Sequence, residues 1–307
     1  MQKSWNIWQT VIIWTMSCAL LLALIPITLI DSRVDNVQAR PLDHHNSYRD
    51  KGYLPIRELR PVPPLIGPKH YYLALGDSLA FSYQPTGDYN HGYVEDFYTN
   101  LQDHGTHTVI NYGCSGESTG TMIQGGCPDA RLRKSAYQGS QLDAAVDFIQ
   151  QHQGQVSPVT IDMGINDIGR AVNDQTCAVD RALFEQRMDQ MDYNMSHFIL
   201  PRLVQALTVN GHRTGDLLVL NYYEPFQNRC PDVVPYTQTV NDHISHDLDV
   251  TTYQFATMID IFNAFGGTYT PNPHLCSYTW ACRYGDVHAT DRGYQVMANA
   301  IERRTGY

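Results

Sequence analysis

The chain has 307 residues, of which 43% are hydrophobic and 17% are charged, a balance that excludes a disordered or fibrous protein. Its formal net charge of -10 argues against a nucleic-acid partner, because such a partner requires a basic surface. The length beyond the N-terminal segment suits one α/β domain with a sizeable hydrophobic core.

An apolar segment near the N-terminus spans residues 11–30 and follows a single lysine, Lys3. A surface helix of a globular domain would carry polar residues on one face, and this segment has few of them. Residues 1–39 are therefore typical of either a signal peptide or an N-terminal membrane anchor, and both alternatives stay open. Either one predicts that the rest of the chain is secreted or lies on the extracellular face of the membrane. A retained anchor would also associate the protein with the membrane.

Residues 40–69 are polar and rich in proline, and they show no hydrophobic period, which predicts a linker or an extended arm. From residue 70 to residue 307, short apolar runs alternate with amphipathic segments, and this region is the predicted domain. The predicted strands are 71–75, 107–112, 159–163, 217–222 and 256–261. The predicted helices are 93–102, 141–153, 181–209 with a bend near Pro201, 236–247 and 289–304. Such alternation predicts a mostly parallel central sheet with helices on both faces.

Seven cysteines are present, and six of them follow the apolar segment. These six are Cys114, Cys127, Cys177, Cys230, Cys276 and Cys282. An even number of cysteines in an exported chain predicts disulfides, although the sequence alone does not determine their pairing. Pairing of neighbours (114–127, 177–230 and 276–282) closes the shortest loops and is our expectation, with the last pair holding an irregular loop over 266–285. A zinc site is the weaker alternative, because close C-x-x-C pairs are missing.

Polar segments that contain glycine follow the first three predicted strands, where a parallel sheet places its ligands. Residues 76–78 (Gly-Asp-Ser) end the first strand, residues 111–119 end the second, and residues 164–167 end the third. A fourth such segment, residues 285–288, precedes the last predicted helix. The sequence therefore predicts a functional site at the carboxyl edge of the sheet.

The residue types in these segments suit nucleophilic catalysis. A serine hydroxyl becomes an effective nucleophile when a base removes its proton, and Ser78 and His288 are the candidates for nucleophile and base. The oxyanion that forms during the attack needs preorganised hydrogen-bond donors. The candidate donors are the backbone N–H groups of Ser78 and Gly116 and the side-chain amide of Asn166. Because Gly116 lacks a Cβ atom, a substrate could approach its backbone closely.

These four segments, in this order, resemble the conserved blocks of the SGNH (GDSL-type) hydrolase family. The nucleophile block Gly-Asp-Ser-Leu is present at residues 76–79, and the glycine and asparagine of the next two blocks match Gly116 and Asn166. The last block places the base ahead of a Gly-Tyr pair, as His288 precedes residues 293–294 here. The resemblance covers residues 70–307. It implies a flavodoxin-like three-layer α/β/α sandwich with a mostly parallel sheet, and hydrolysis of esters or thioesters without a metal or another cofactor.

One position departs from the family pattern. The usual acid lies three residues before the histidine, where this chain has Gly285, and Asp286 lies two residues before it. In an extended loop, residues i and i+2 point the same way, so Asp286 could still reach the imidazole of His288. The alternative is a Ser–His dyad in which a backbone carbonyl near Gly285 orients the histidine. We favour Asp286, because a carboxylate also stabilises the imidazolium.

The predicted function is that of an exported serine hydrolase of the esterase or lipase type, which cleaves small-molecule or lipid esters through a Ser-His(-Asp) acyl-enzyme mechanism. Two alternatives stay open, a carbohydrate O-deacetylase of the same fold and a catalytically inactive surface binding module. The aromatic residues Tyr269, Tyr278 and Trp280 could line an acyl or sugar pocket, or they could pack the loop over 266–285.

Overall fold

The structure is a computed structural model that describes residues 63–307. The predicted signal peptide or anchor, residues 1–39, lies outside the described residues, and so does the predicted linker up to residue 62. Across the part of the chain that is described, no helix combines the length and the hydrophobicity needed to cross a bilayer.

The described chain contains strands and helices in alternation. The strands are β1 Tyr71–Gly76, β2 Thr108–Asn111, β3 Val156–Asp162, β4 Val172–Asn173, β5 Ala178–Val179, β6 Thr208–Val209, β7 His212–Arg213, β8 Leu217–Leu220 and β9 Ala256–Ile259. The helices are α1 Ser78–Phe81, α2 Tyr93–Asp103, α3 Thr119–Gln124, α4 Gln141–Gln151, α5 Ile165–Ile168, α6 Arg181–Asn194, α7 Leu200–Ala206, α8 Val234–Thr252, α9 Ile261–Ala264, α10 Leu275–Tyr278, α11 Ala281–Tyr284 and α12 Asp291–Thr305. A π-helical turn, Met195–Ile199, joins α6 to α7, and a 3-10 turn, Pro231–Val233, precedes α8.

Five strands form one parallel sheet in the order β2-β1-β3-β8-β9. Every residue of β3 and β8 is buried, as expected for central strands that are covered on both faces. The order is the flavodoxin-like one, in which the first strand lies between the second and the third. The predicted fold is therefore confirmed. The loops that follow β1, β2 and β3 meet at the carboxyl edge of the sheet, where such folds bind their ligands.

Helices pack on both faces of the sheet. The ring of Tyr72 on β1 contacts Phe97 of α2, whereas the ring of its neighbour Tyr71 contacts Phe148 of α4. Successive residues of a strand point to opposite faces, so α2 and α4 lie on opposite sides of β1. Helix α12 packs against α2, and α7 packs against α4. These contacts give the three layers of the sandwich.

Two predicted boundaries change for reasons that involve proline. The predicted helix over 181–209 is divided into α6, the π-helical turn and α7, and its last residues form the hairpin β6–β7. Pro201 has no N–H to donate to the preceding turn, and the irregular turn lies just before it. Strand β3 begins earlier than predicted, at Val156. It includes Pro158, and its register with β1 shifts there.

The segment over 266–285 is not the continuous loop that we expected. It contains the two short helices α10 and α11, and the disulfide Cys276–Cys282 links them. Helix α8 is also longer than predicted at both ends, because Pro235 is compatible with the first turn of a helix. The remaining strands and helices lie close to their predicted ranges.

The structure contains three disulfides, and each joins cysteines that are neighbours along the chain, as expected. Cys114–Cys127 closes the loop after β2, and Cys177–Cys230 joins the hairpin β4–β5 to the segment before α8. Around the second bridge, Phe226 and Val233 form a small apolar cluster. Two of the three disulfides thus fix loops at the carboxyl edge of the sheet.

The end of the predicted linker lies against the domain. The backbone N–H groups of Ile66 and Gly67 donate to the carboxylate of Asp216 at 2.9 and 2.8 Å. The N–H of Lys69 donates to the carbonyl of Ser157 at 2.8 Å. This segment therefore runs along the amino-terminal edge of β3 and β8, the edge opposite the one where the loops after β1, β2 and β3 meet.

The first turn of α12 packs directly on the end of α10. A Cβ atom at Gly293 would lie 2.0 Å from the carbonyl oxygen of Tyr278, so only glycine allows this approach. The hydroxyl of Tyr294 donates to the carbonyl of Tyr83 at 2.8 Å. The Gly-Tyr pair thus fixes α12 and, with it, the loop that carries His288.

We expect Gly293→Ala to lower the free energy of unfolding by about 1–3 kcal/mol, because the added methyl group overlaps a backbone carbonyl that cannot move freely. Thermal or denaturant unfolding measures the effect. Gly120→Ala is the matched control, because a Cβ at Gly120 in α3 has its nearest neighbour at 3.8 Å. Equal stability of the two variants would contradict this explanation of the Gly-Tyr pair.

Candidate active site

Ser78 is the first residue of α1 and lies just beyond the carboxyl end of β1. Asp77 caps this helix, because its Oδ1 accepts the backbone N–H of Leu79 at 2.9 Å. Gly76 has a φ of +141°, which residues with a Cβ rarely adopt. The sharp turn that results leaves the side chain of Ser78 at the wall of a cavity, with 9% of the residue exposed.

A chain of hydrogen-bonding groups leads from Ser78 to Asp286. Nε2 of His288 lies 2.8 Å from Oγ of Ser78, and Nδ1 of His288 lies 2.7 Å from Oδ1 of Asp286. The same carboxylate oxygen accepts the backbone N–H of His288 at 2.9 Å. The structure thus brings the predicted nucleophile, base and acid together. Nδ1 faces the carboxylate rather than a backbone carbonyl near Gly285.

The surroundings of Asp286 favour its ionised form. Burial alone would raise the pKa of the Asp286 carboxyl, but the hydrogen bonds to His288 and the charge of its imidazolium form outweigh burial and lower the pKa below its usual value. The carboxylate is therefore charged at neutral pH, which is the state that can stabilise an imidazolium.

The loop that carries His288 is held at three points. The backbone carbonyl of His288 accepts the N–H of Trp280 at 2.9 Å, and the carbonyl of Val287 accepts the hydroxyl of Tyr223 at 2.9 Å. The ring of Tyr83 packs on the imidazole, with 4.3 Å between the ring centroids. These contacts fix the position and the plane of the imidazole.

Two of the predicted oxyanion donors are open to the cavity. Within residues 63–307, no acceptor is bonded to the backbone N–H of Ser78 or of Gly116, and both residues line the cavity. Gly116 has a φ of +81°, so a residue with a side chain would be strained at this position. The two N–H groups are therefore available to a bound ligand.

The third predicted donor has other partners. Nδ2 of Asn166 donates to the carbonyl of Glu117 at 2.9 Å and to Oδ2 of Asp77 at 3.2 Å. These bonds hold the amide beside Ser78 and Gly116 at the cavity wall. Both of its hydrogens are engaged in this structure, and the bond to Asp77 is the longer one.

A cavity of about 360 Å³ opens beside Ser78, a volume in the range of small-molecule sites. The four predicted site residues Ser78, Gly116, Asn166 and His288 line it. Its apolar lining residues are Leu79, Ile165, Ile168, Val172, Pro225, Val233 and Val287. Its other polar and aromatic lining residues are Asp77, Asp174, Tyr222, Tyr223, Glu224, Tyr236 and Thr237.

A family model for the GDSL-like lipase/acylhydrolase family matches residues 74–296. The chain belongs to this family. It is therefore a carboxylic ester hydrolase that acts on small-molecule esters. A search of curated proteins finds no match to the chain.

Solved structures of esterases share the fold. A lipase from a goat rumen metagenome is 18% identical, with a TM-score of 0.53 over 76% of this chain and 97% of that chain. An acetylxylan esterase from Geobacillus stearothermophilus is 18% identical, with a TM-score of 0.50 over 79% of this chain and 96% of that chain. At these identities the similarity concerns the fold alone.

The three aromatic residues that the sequence analysis named in the segment over 266–285, Tyr269, Tyr278 and Trp280, do not line the cavity of this esterase. The ring of Tyr278 packs against Phe265, and the indole N–H of Trp280 donates to Oε1 of Gln84 at 3.0 Å. Tyr269 is 68% exposed. Of the two roles that the sequence left open for these residues, Tyr278 and Trp280 have the packing role.

Two groups of metal-ligating side chains occur within residues 63–307. One consists of Cys114, Glu117 and Cys127, but its two sulfurs are joined in a disulfide. The other consists of Asp88, His91 and Asp291. His91 and Asp291 are exposed, and none of these three residues lines the cavity.

Two side chains behind Ser78 were not singled out from the sequence. Gln141 bonds both backbone groups of Gly76: its Oε1 accepts the N–H at 2.7 Å, and its Nε2 donates to the carbonyl at 3.0 Å. Asp162, at the end of β3, is fully buried below the same turn. Asp162 could have been noticed in the sequence, because it is a charged residue in a strand that is otherwise uncharged. Gln141 stands in no pattern that would have identified it.

We expect Asp286→Ala and Asp286→Asn to lower kcat by roughly 10²–10⁴-fold, because neither side chain can hold the imidazolium of His288. KM should change little, because Asp286 does not line the cavity. Steady-state kinetics on a p-nitrophenyl ester measure both quantities, with Asp103→Asn at an exposed site of α2 as the control. A kcat near the wild-type value would instead indicate a Ser–His dyad.

Proposed function

We propose that Ser78 is the nucleophile of this esterase, that His288 is its general base and that Asp286 orients the base. The arrangement of Oγ, the imidazole and the carboxylate at distances of 2.8 and 2.7 Å, beside a cavity, supports this proposal most directly. His288 takes the proton of Ser78 as Oγ attacks the ester carbonyl carbon, and it returns that proton to the leaving alcohol. Water that is activated by the same histidine then releases the acid.

The backbone N–H groups of Ser78 and Gly116 are the proposed primary oxyanion donors, because both are open to the cavity. Asn166 would join them when one amide hydrogen turns from Oδ2 of Asp77, its more distant acceptor, to the oxyanion. Hydrogen bonds in a free active site often tighten only when the transition state forms, so this exchange is compatible with catalysis. The hydrogen bond to Glu117 keeps the amide in place during the exchange.

The cavity lining supports an ester with an aliphatic acyl chain. Ile165, Ile168, Val172 and Val233 offer apolar surface, and burial of each methylene group of a chain contributes about 0.8 kcal/mol. A carbohydrate O-deacetylase needs room only for an acetyl group beside the serine, with the sugar outside. The length of the preferred acyl chain therefore distinguishes the two candidate substrate classes.

We also propose that the protein is exported. Three disulfides within residues 63–307 support an oxidising compartment, because such bonds are rare in reducing ones. The apolar segment over 11–30 is the proposed export signal or anchor. Amino-terminal sequencing of the mature protein distinguishes cleavage near residue 39 from retention.

We expect wild-type protein to hydrolyse p-nitrophenyl esters, with a higher kcat/KM for chains longer than acetyl, and Ser78→Ala to lose at least roughly 10³-fold of this activity. A fluorophosphonate should label wild type and not Ser78→Ala, because only an activated serine reacts. A preference for acetyl esters would favour the deacetylase. Absence of both hydrolysis and labelling would favour the inactive binding module.

We expect Val172→Phe to lower kcat/KM for a p-nitrophenyl octanoate by roughly tenfold relative to the acetate, because the larger ring shortens the apolar part of the cavity. Val250→Phe is the matched control, because Val250 is 61% exposed on α8 and does not line the cavity. An unchanged ratio between the two esters would show that the acyl chain does not extend toward the hairpin β4–β5.

A further inference from the structure

Two carboxyl groups meet beneath the nucleophile turn. Asp77, which precedes Ser78, and Asp162, the last residue of β3, are both 0% exposed. Both carboxyl groups lie against the first turn of α1, where Oδ1 of Asp77 accepts the N–H of Leu79 and Oδ2 of Asp162 lies 3.3 Å from the N of Ala80. A Cβ atom at Gly76 would lie 2.3 Å from Oδ1 of Asp162, so the Asp162 carboxyl packs directly against the backbone of the turn. The mechanism proposed above assigns no role to Asp162.

Each carboxyl group also accepts hydrogen bonds from the catalytic region. Oδ1 of Asp162 accepts the hydroxyl of Tyr93 at 2.7 Å, and its Oδ2 lies 3.3 Å from the N–H of Ala80 in α1. Oδ2 of Asp77 accepts the hydroxyl of Tyr222 at 3.1 Å. It also accepts the amide of Asn166, while Oδ1 of Asp77 caps α1. The pair therefore connects the turn at Ser78, the first helix and the third oxyanion donor.

Two negative charges cannot share such a site. Within residues 63–307, neither carboxyl takes part in an ion pair, so two ionised carboxylates on this one buried turn would repel each other unless one of them kept a proton. When two carboxyl groups share a buried site, one pKa is strongly raised. Burial raises the pKa of both groups, and the charge of Asp77 together with their shared hydrogen bond raises the pKa of Asp162 further, well above the usual value.

We propose that Asp162 is a positioning residue that keeps its proton and donates it to Asp77, so that the pair carries a single negative charge located on Asp77. This charge orients the amide of Asn166 and caps the helix that begins at Ser78. If Asp162 lost this proton, the pair would carry two negative charges, and their repulsion would push Asp77 away from its partners in the turn. The kinetic part of this inference rests on the proposed roles of Ser78 and Asn166, whereas the protonation state does not.

The other groups near the pair are compatible with this assignment. The titratable side chains near it are Tyr72, Tyr93, Tyr222, Tyr223, Tyr294, Glu117 and His288. Burial raises the pKa of each of the five tyrosines well above its usual value, so they stay neutral. Burial also raises the pKa of Glu117. His288 is the cationic partner when it is protonated, and it favours the charge on Asp77.

The protonation state predicts a specific effect of pH on stability. Folded wild-type protein holds one more proton than the unfolded chain at any pH between about 4, where a free aspartate titrates, and the raised pKa of the pair. Its stability therefore falls as pH rises through this window. Asp162→Asn cannot titrate, and its amide can still donate to Asp77. As pH rises from 5, the unfolding equilibrium constant of wild type should rise by up to about tenfold per pH unit relative to that of Asp162→Asn, for as long as the pair keeps its proton.

Denaturant unfolding of the full-length protein at several pH values measures this ratio, with Asp103→Asn as the matched control for loss of an exposed carboxyl group. The wild-type unfolding equilibrium constant divided by that of Asp162→Asn should rise with pH more steeply than the same quotient for Asp103→Asn. Equal rises would overturn the proposal, because they would mean that Asp162 is ionised in the folded protein. This readout does not depend on the catalytic role of Ser78.

Kinetics test the positioning role. At pH 7, Asp162→Asn should retain kcat within about threefold of wild type, because its amide replaces the donated proton. Asp162→Ala should lose roughly tenfold or more in kcat with little change in KM, because the turn and the Asn166 amide lose their support. Equal kcat values for the two variants would overturn the role. If Asp162→Ala does not fold, Asp162→Leu, which is close to Asn in shape and has no donor, replaces it, and equal kcat values for Asp162→Leu and Asp162→Asn would overturn the role.

Discussion

The turn at the carboxyl end of β1 is the constraint on which the active site depends. β1 lies between β2 and β3, so the loops after all three strands converge on the residue that leaves this turn, Ser78. A left-handed glycine, a capping aspartate and the side chain of Gln141 hold the backbone there, and a buried carboxyl supports it from below. The proposed nucleophile is therefore positioned by backbone geometry, which leaves its own side chain available for the proposed reaction.

The proposed base reaches this turn from a distant part of the chain. His288 follows Ser78 by 210 residues, and its approach depends on the packing of α12 against α10 and α2. The glycine at 293 allows the first of these contacts, and the disulfide between α10 and α11 limits the motion of the preceding segment. The hydrogen bonds of Trp280 and Tyr223 to the loop backbone then set the position of the imidazole.

One side of the cavity is formed by residues at the ends of sheet strands, and the other side is formed largely by irregular segments. Residues at the ends of the sheet strands form the catalytic side, whereas the hairpin β4–β5 and the segment before α8 supply much of the apolar side. Cys177–Cys230 joins these two irregular segments directly. A disulfide limits the conformations of these loops, so this side of the cavity is held by a covalent bond as well as by a small apolar cluster.

The sequence by itself determined the strand–helix alternation, the parallel sheet and the candidate residues of the active site, because hydrophobic periodicity and short motifs are local signals. It also determined Asp286 as a candidate acid, although the choice between this carboxylate and a backbone carbonyl depended on a loop conformation that the sequence does not encode locally. Only the tertiary structure decided which loops form the cavity, that the two hydrogens of Asn166 are already engaged, and that Asp162 meets Asp77. These features are contacts between segments far apart in the chain, and their distances follow from the packing of the whole sheet and its helices.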